Sequence, residues 1–201
     1  MAREKDEGKR QAIMAAAKKL FAQEGFHGAS ISDMARETGL PVGSIYTYFE
    51  NKEDLIRTVI DEGWGEFFDG LTLALSRAES PERQFAIIIY RILPGLFEDV
   101  DLISILLSEA ARFADIEEKL ERLSAIIADL VMELARKQDI RMAFSPEQAK
   151  AAIALYFLGS LDSVRLSRNA GLGISAESII AFIAFTIENS FRISLDASLA
   201  S

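Results

Sequence analysis

Along almost the whole chain apolar residues return at every third or fourth position, the repeat of one helix face rather than the alternation of a strand. The first stripe holds Ile13, Ala17, Leu20 and Phe21, runs from about Lys9 to Glu24, and stops at Gly25, which tolerates the left-handed turn conformation. Ser30 begins a second helix, with Asp33 three residues on as a variant of the capping box, and Gly39 ends it. A short third segment covers Val42 to Phe49. Asn51 then caps a long fourth helix whose stripe includes Leu55, Val59, Phe67 and Leu71. Further starts are marked by Ser80-Pro81, Asp101, Asp115 with Glu118, Ser145-Pro146 with Gln148, and Ser175 after Gly171 and Gly173. Pro94, inside the apolar stretch from Phe85 to Phe97, is expected to kink or end its helix because it lacks an amide hydrogen and clashes with the preceding turn. The pattern predicts an all-α fold of about nine helices.

Two short helices joined by a tight glycine-containing turn, Ser30 to Gly39 and Val42 to Phe49, describe a helix-turn-helix, whose second helix lies in the major groove of DNA. Ile31, Met34, Leu40, Ile45 and Phe49 are the apolar contacts that lock helices too short to be stable alone, and Ala35 is small enough for a close crossing. Val42, Gly43, Ser44, Tyr46, Thr47 and Tyr48 are left to face outward. Gly43 lets a phosphate approach the backbone, Ser44 and Thr47 can donate to phosphates or base edges, and the two tyrosines offer phenol donors and ring contacts. Lys52, in the first turn of the fourth helix, can clasp a phosphate together with the positive helix end, and Ser30 and Ser32 can do so at the second helix. The plain alternative for Tyr46 and Tyr48 is packing, and for Lys52 a solvated helix start. The expected division is a helix-turn-helix DNA-binding domain over residues 1–51 and a helical effector-binding and dimerisation domain over 52–201, with the fourth helix as a rigid joint.

Charge supports that division. The chain of 201 residues has a formal net charge of −9, which looks wrong for a nucleic-acid binder until its distribution is read. Residues 1–58 carry nine Lys or Arg and nine Asp or Glu, whereas the remaining 143 carry thirteen and twenty-two. All the excess acid therefore lies in the C-terminal part, which phosphate would repel. Half the residues are hydrophobic, so the chain is globular rather than disordered. With no cysteine and one histidine it can build neither thiolate sites nor the usual zinc clusters, and no cofactor is expected. No apolar run is long enough to span a bilayer, and the charged stretch from Met1 to Gln11 is no secretory signal, so a cytoplasmic location is expected.

The stretch from Ser30 to Lys52 resembles the DNA-binding domain of the TetR (tetracycline repressor) family of bacterial regulators. That family shares a capped helix ending in Ala-x-x-x-Gly, then Gly-x-x-Tyr-x-Tyr-Phe and a lysine three residues later. Here these are Ala35 to Gly39, Gly43, Tyr46, Tyr48-Phe49 and Lys52, and the resemblance extends over about residues 9–57, with Phe21 and Gly25-Phe26 closing the leading helix. Two positions depart from the pattern: Val42 stands where many members have a lysine or another polar residue, and Pro41 where many have a serine cap. A basic arm of Arg3, Lys5, Lys9 and Arg10, diluted by Glu4, Asp6 and Glu7, can compensate, so a modest salt slope is expected.

The resemblance implies that helices from about Asn51 to Ile140 enclose an effector cavity, and that the last two long helices pair with their counterparts in a twofold homodimer. For the cavity the sequence offers Trp64, Phe67, Phe68, Phe85, Tyr90, Phe97, Phe113, Tyr156 and Phe157 as aromatic walls. Arg91, Arg112, Glu109 and Asp162 are polar groups beside apolar runs. An aromatic stripe at helical spacing is more often plain core. Arg91, embedded in an apolar run, either anchors an acidic ligand or snorkels to water. For the dimer, Ala152, Tyr156, Gly159, Ser163, Ile179, Phe182, Ile183 and Thr186 mix small and apolar residues in a way that permits a close four-helix contact.

The expected function is a transcriptional regulator, most often a repressor in this family, that binds a palindromic operator in double-stranded DNA as a homodimer and is released by a small apolar or amphipathic effector. An enzyme lacks the material: one histidine, no cysteine and no Gly-Lys-Ser/Thr loop. A helical carrier of hydrophobic ligands with an idle helix-turn-helix is the alternative.

Overall fold

The computed structural model describes residues 6–100, 103, 115–140 and 145–200. Among them every regular element is helical. The helix expected from Asp101 lies outside the described residues, as do Arg3, Lys5, Glu109, Arg112 and Phe113.

The first elements are α1 (Glu7–Gly28), α2 (Ile31–Thr38), α3 (Val42–Ile45) and α4 (Lys52–Ser76). Asp6 caps α1 by accepting from the Lys9 amide at 3.3 Å. The stop expected at Gly25 is a kink: φ 72° and ψ 171° break the helical path there, and one further turn follows to Gly28. Ser30 accepts from the Asp33 amide at 3.1 Å, satisfying one of the orphan donors of the α2 N-terminus. Asn51 does the same for α4, its Oδ1 accepting from the Asp54 amide at 2.7 Å.

Next come α5 (Pro81–Ile87), a π-helical turn (Ile88–Ile92) and α6 (Leu93–Glu98), which follow one another without a break. The kink or stop expected at Pro94 is thus replaced by a widened turn. Pro94 cannot donate to the Tyr90 carbonyl four residues back and its ring presses on it; in the π turn the Leu93 amide reaches back instead to Ile88 O. Then follow α7 (Ile116–Lys137), α8 (Pro146–Ala170), α9 (Ala176–Phe191) and a 3-10 turn (Ala197–Ala200). Ser145 and Gln148 form the reciprocal capping box of α8, at 3.2 and 2.9 Å. Gly171, at φ 69°, ends that helix in the left-handed region.

The chain divides into two compact units, Met1–Glu66 with Asp101–Ile116 and Phe67–Val100 with Glu117–Ser201, the division falling within α4. In the first unit Ile13, Ala17, Phe21, Phe26, Met34, Ile45, Phe49, Leu55 and Ile56 are buried, and the rings of Phe21 and Phe26 lie 5.9 Å apart. Apart from Ala17, each such side chain contributes roughly 1.5–3 kcal/mol by leaving water. In the second, Phe68, Leu71, Phe85, Ile89, Phe97, Leu134, Leu161, Val164 and Phe191 are buried, with Phe85 stacked on Phe191 at 6.5 Å. Its C-terminal segment is tied down: the Leu195 amide donates to Glu188 Oε1 at 2.6 Å, and the Tyr90 hydroxyl donates to Leu195 O at 3.4 Å. Burial, with Glu188 and Asp196 nearby, pushes the Tyr90 phenol above its ordinary pKa.

Candidate nucleic-acid interface

The turn between α2 and α3 is built by local chemistry. Thr38 Oγ1 donates to Met34 O at 2.8 Å, and Gly39 adopts φ 68°, a left-handed value that carries no Cβ clash in glycine. Pro41, at φ −60°, then stands at the N-cap of α3 without a side-chain hydrogen bond, as its ring demands. Only Val42–Ile45 is α-helical; residues 46–48 continue as turns rather than as the helix expected to Phe49. Thr47 supplies a reason, since its hydroxyl donates to Ser44 O at 2.6 Å and competes with the helical ladder.

Ile45 and Phe49 point inward and are buried, which turns the rest of this segment outward. Tyr46 is 53% exposed and Val42 40%. Gly43 and Thr47 are exposed, and Ser44 and Tyr48 are half-buried. A Cβ at Gly43 would meet nothing within 4 Å, so no packing within the chain requires glycine there. Ser32 is exposed on α2, while Ser30 is engaged at both ends of its hydroxyl, accepting from the Asp33 amide and donating to Asp33 Oδ2 at 2.5 Å. That hydroxyl, seconded by Arg36, holds the Asp33 carboxyl below the usual range. The structure therefore brings Val42, Gly43, Tyr46 and Thr47 to one open surface, and sets Ser30 to capping.

Lys52 is half-buried. Its Nζ donates to Phe26 O at 2.7 Å and Ala29 O at 3.0 Å and lies 4.4 Å from the centre of the Phe26 ring. Three acids of this unit are matched to cations: Asp33 to Arg36 at 2.6 Å, Glu37 to Lys19 at 2.5 Å, and Glu62 to Arg10. Sequence reasoning missed Glu62, whose partner lies 52 residues away and leaves no local signal.

Of the residues expected at an effector cavity, Trp64 belongs to the first unit and Phe67, Phe68, Phe85, Tyr90, Arg91 and Tyr156 to the second. Trp64 is half-buried in the first unit. Phe67 and Phe68 meet edge-on at 5.5 Å, and the Arg122 guanidinium lies 4.1 Å over the Phe68 ring. Phe85 and Tyr90 belong to the cluster around Phe191 and Leu195. Arg91 is exposed, as its snorkelling alternative has it, and Tyr156 is 41% exposed. Phe113 lies outside the described residues. At the C-terminal end of α7 and the residues just after it, an open depression of about 520 Å³ is lined by Asp129, Met132, Glu133, Ala135, Arg136 and Ile140, none of them an expected effector residue.

On α8 and α9, Tyr156, Gly159 and Phe182 are exposed, and Ala152, Ser163, Ile179, Ile183 and Thr186 are half-buried. Leu155 and Phe185, missed by the sequence reading, are exposed beside them in the sequence at 74% and 60%.

Residues 13–59 match the model of the bacterial regulatory proteins of the tetR family. This chain therefore carries a tetR-family DNA-binding segment. Among curated relatives, the Fatty acid metabolism regulator protein of Bacillus subtilis is 30% identical over 77 residues, covering 38% of this chain and 40% of that protein. The HTH-type transcriptional regulator YfiR of the same organism is 29% identical over 163 residues, covering 78% of each. Among solved structures, the fatty acid degradation regulator FadR from Bacillus halodurans superimposes with a TM-score of 0.70 at 26% identity, covering 90% of this chain and 94% of that one. FadR from Bacillus subtilis in complex with stearoyl-CoA gives 0.68 at 20% identity, covering 90% and 97%. The TetR-family match falls on the segment that carries α2, the glycine turn and α3.

Proposed function

We propose that this chain is a DNA-binding transcriptional regulator that reads a palindromic operator as a homodimer and is released from it by an amphipathic effector of the fatty-acyl class. The observation that carries the first part is the outward surface of Val42, Gly43, Tyr46 and Thr47, mounted on buried Ile45 and Phe49 in a helix-turn-helix. Tyr46 and Thr47 provide donors for base edges and phosphates, and Val42 an apolar contact for a thymine methyl. Ser32, Ser44 and Tyr48 flank them. DNA reading is assigned to residues 1–51, with effector binding and dimerisation assigned to 52–201.

One such surface touches too few bases for useful specificity, so two copies reading half-sites roughly 34–36 Å apart are required. The exposed apolar residues of α8 and α9 suit that pairing. The effector class rests on the acyl-CoA-bound structural relative and on the two relatives named for fatty acid metabolism or degradation. The aromatic and aliphatic residues of the second unit are compatible with an acyl chain. Effector binding lowers operator affinity through a coupling of about 1 to 3 kcal/mol, or roughly 5- to 150-fold.

The test begins with selection of a duplex from a random pool by the purified chain, followed by anisotropy on that duplex and on a scrambled control. A selected palindrome bound by two chains, and released by stearoyl-CoA but not by coenzyme A alone, is the expected result. Equal weak binding to both duplexes sinks the regulator reading. Coupling is reciprocal, so stearoyl-CoA affinity that does not change with operator present sinks the switch while leaving DNA reading intact.

A further inference from the structure

We propose that Lys52 and the Arg10–Glu62 pair are positioning residues that brace α4 against α1 at two points and so set the placement of the reading surface on α3, without touching DNA themselves. This inference rests on the proposed DNA-reading function. The Lys52 ammonium donates to the Phe26 and Ala29 carbonyls, which belong to the end of α1 and the residue after it. Arg10, near the start of α1, donates to Glu62 on α4. The two braces are ten residues apart on α4, a rise of about 15 Å, and their order along α1 is reversed, so the two helices run antiparallel between them.

Each brace also places its cation on an aromatic ring of the core. Lys52 Nζ lies 4.4 Å from the Phe26 ring centre, and the Arg10 guanidinium lies 5.9 Å from that of Phe49, the buried residue that closes the reading segment. Glu62 hydrogen bonding keeps Arg10 more firmly protonated than an ordinary guanidinium. Arg10 and Lys52, two cations of the first 58 residues, are therefore turned toward carbonyls, a carboxylate and rings of their own unit. The four-residue α3 is too short to hold a position of its own, so what fixes α4 beside it fixes the angle at which Tyr46 and Thr47 are presented.

Electrostatics and bracing predict opposite signs for one substitution. Glu62→Ala removes a negative charge from a DNA-binding unit and releases a cation, which by charge alone tightens binding to every duplex. As the loss of a brace, it lowers the preference for the selected duplex over a scrambled one by at least about fivefold, the scale of losing one base pair's readout. Lys52→Met keeps the stem against Phe26 and removes the donors. It lowers the same preference with an unchanged salt slope, and Lys52→Arg, which restores donors and the ring contact, recovers it.

Anisotropy on the wild-type-selected and scrambled duplexes across a salt series decides the matter, with circular dichroism confirming the helical fold of each variant. Undiminished discrimination by Glu62→Ala overturns the proposal. So does a Lys52→Met variant that weakens both duplexes equally and drops the salt slope by about one, the signature of a phosphate contact. Loss of helical signal in both variants reduces the braces to fold stability and also overturns it. Failure of the wild-type chain to select any duplex sinks the regulator reading, and this proposal with it.

Discussion

The open face of α3 and the open faces of α8 and α9 are made of different material. On α3 and the turn that follows it, Tyr46 and Val42 stand beside Gly43, Ser44 and Thr47, so every exposed apolar group has a hydroxyl or a bare backbone next to it. On α8 and α9, Leu155, Phe182 and Phe185 are 74%, 61% and 60% exposed, more exposed and more apolar than anything the reading segment shows. The first composition suits a partner that stays wet, with phosphates and base edges to be hydrogen-bonded. The second suits a partner that excludes water, since large apolar side chains left exposed together on a surface mark association. Exposure alone does not separate the two surfaces, whereas the chemistry between the exposed rings does.

The largest expected effect tests the dry face. Replacing Phe182 and Phe185 together by glutamate puts two charges where a pairing contact would exclude water, at a cost of several kcal/mol. Sedimentation velocity is expected to show monomers at micromolar concentration, with unchanged helical content, and operator affinity is expected to fall by more than about 100-fold as one half-site is lost. A variant that remains dimeric would place the pairing surface elsewhere and break the comparison.

The wet face should respond in the other register. Tyr46→Ala removes a half-exposed ring and hydroxyl, so unfolding free energy should stay within about 0.5 kcal/mol of wild type. Operator affinity is expected to fall by about 1 to 3 kcal/mol, measured by anisotropy on the selected duplex. A stability loss of that size with unchanged DNA binding would make Tyr46 a packing residue. Ser30→Ala is expected to do the reverse, costing about 1 kcal/mol in thermal unfolding through loss of the α2 cap, because the hydroxyl is already committed to Asp33.

What could be read from the sequence follows the range of the interaction. Caps are settled within four residues, and Ser30, Asn51, Ser80, Ser145 and Ser175 all accept the amide three residues on, as their spacing predicts. Gly25 and Gly39 were legible for the same reason, as backbone turns that need no distant partner. The extent of α3 was overestimated because a hydroxyl at Thr47 competing for a carbonyl is invisible to an apolar pattern. Pro94 announced a disturbance, but a π turn rather than a stop depends on what holds Leu93 and Phe97 in the core. Glu62 was missed entirely because its partner is far along the chain. Tyr156 shows the limit for the body. A helical stripe says that one side is apolar but not which partner that side meets, so this residue was assigned to both cavity and dimer, and it lies exposed near Leu155.

The smallest effect belongs to the body's own closure rather than to either face, and pH isolates it. Tyr90→Phe deletes the long hydrogen bond to Leu195 O, so near neutral pH it should cost only about 0.5 to 1 kcal/mol, seen as a small shift in the urea midpoint. Burial beside Glu188 and Asp196 raises the folded-state pKa of this phenol above its unfolded value of about 10. The protonated form is therefore favoured by folding, and the contribution is complete below the unfolded value. As pH rises through the folded value, the unfolded chain has already released its proton, and the wild type loses this share of its stability. Phenylalanine has no proton to lose, so the difference between the two proteins should shrink above pH 10 and be largest below it. A difference that grows with alkalinity would mean that the phenolate is tolerated where Tyr90 sits. The C-terminal segment would then be closed by Leu195 and Glu188 without it.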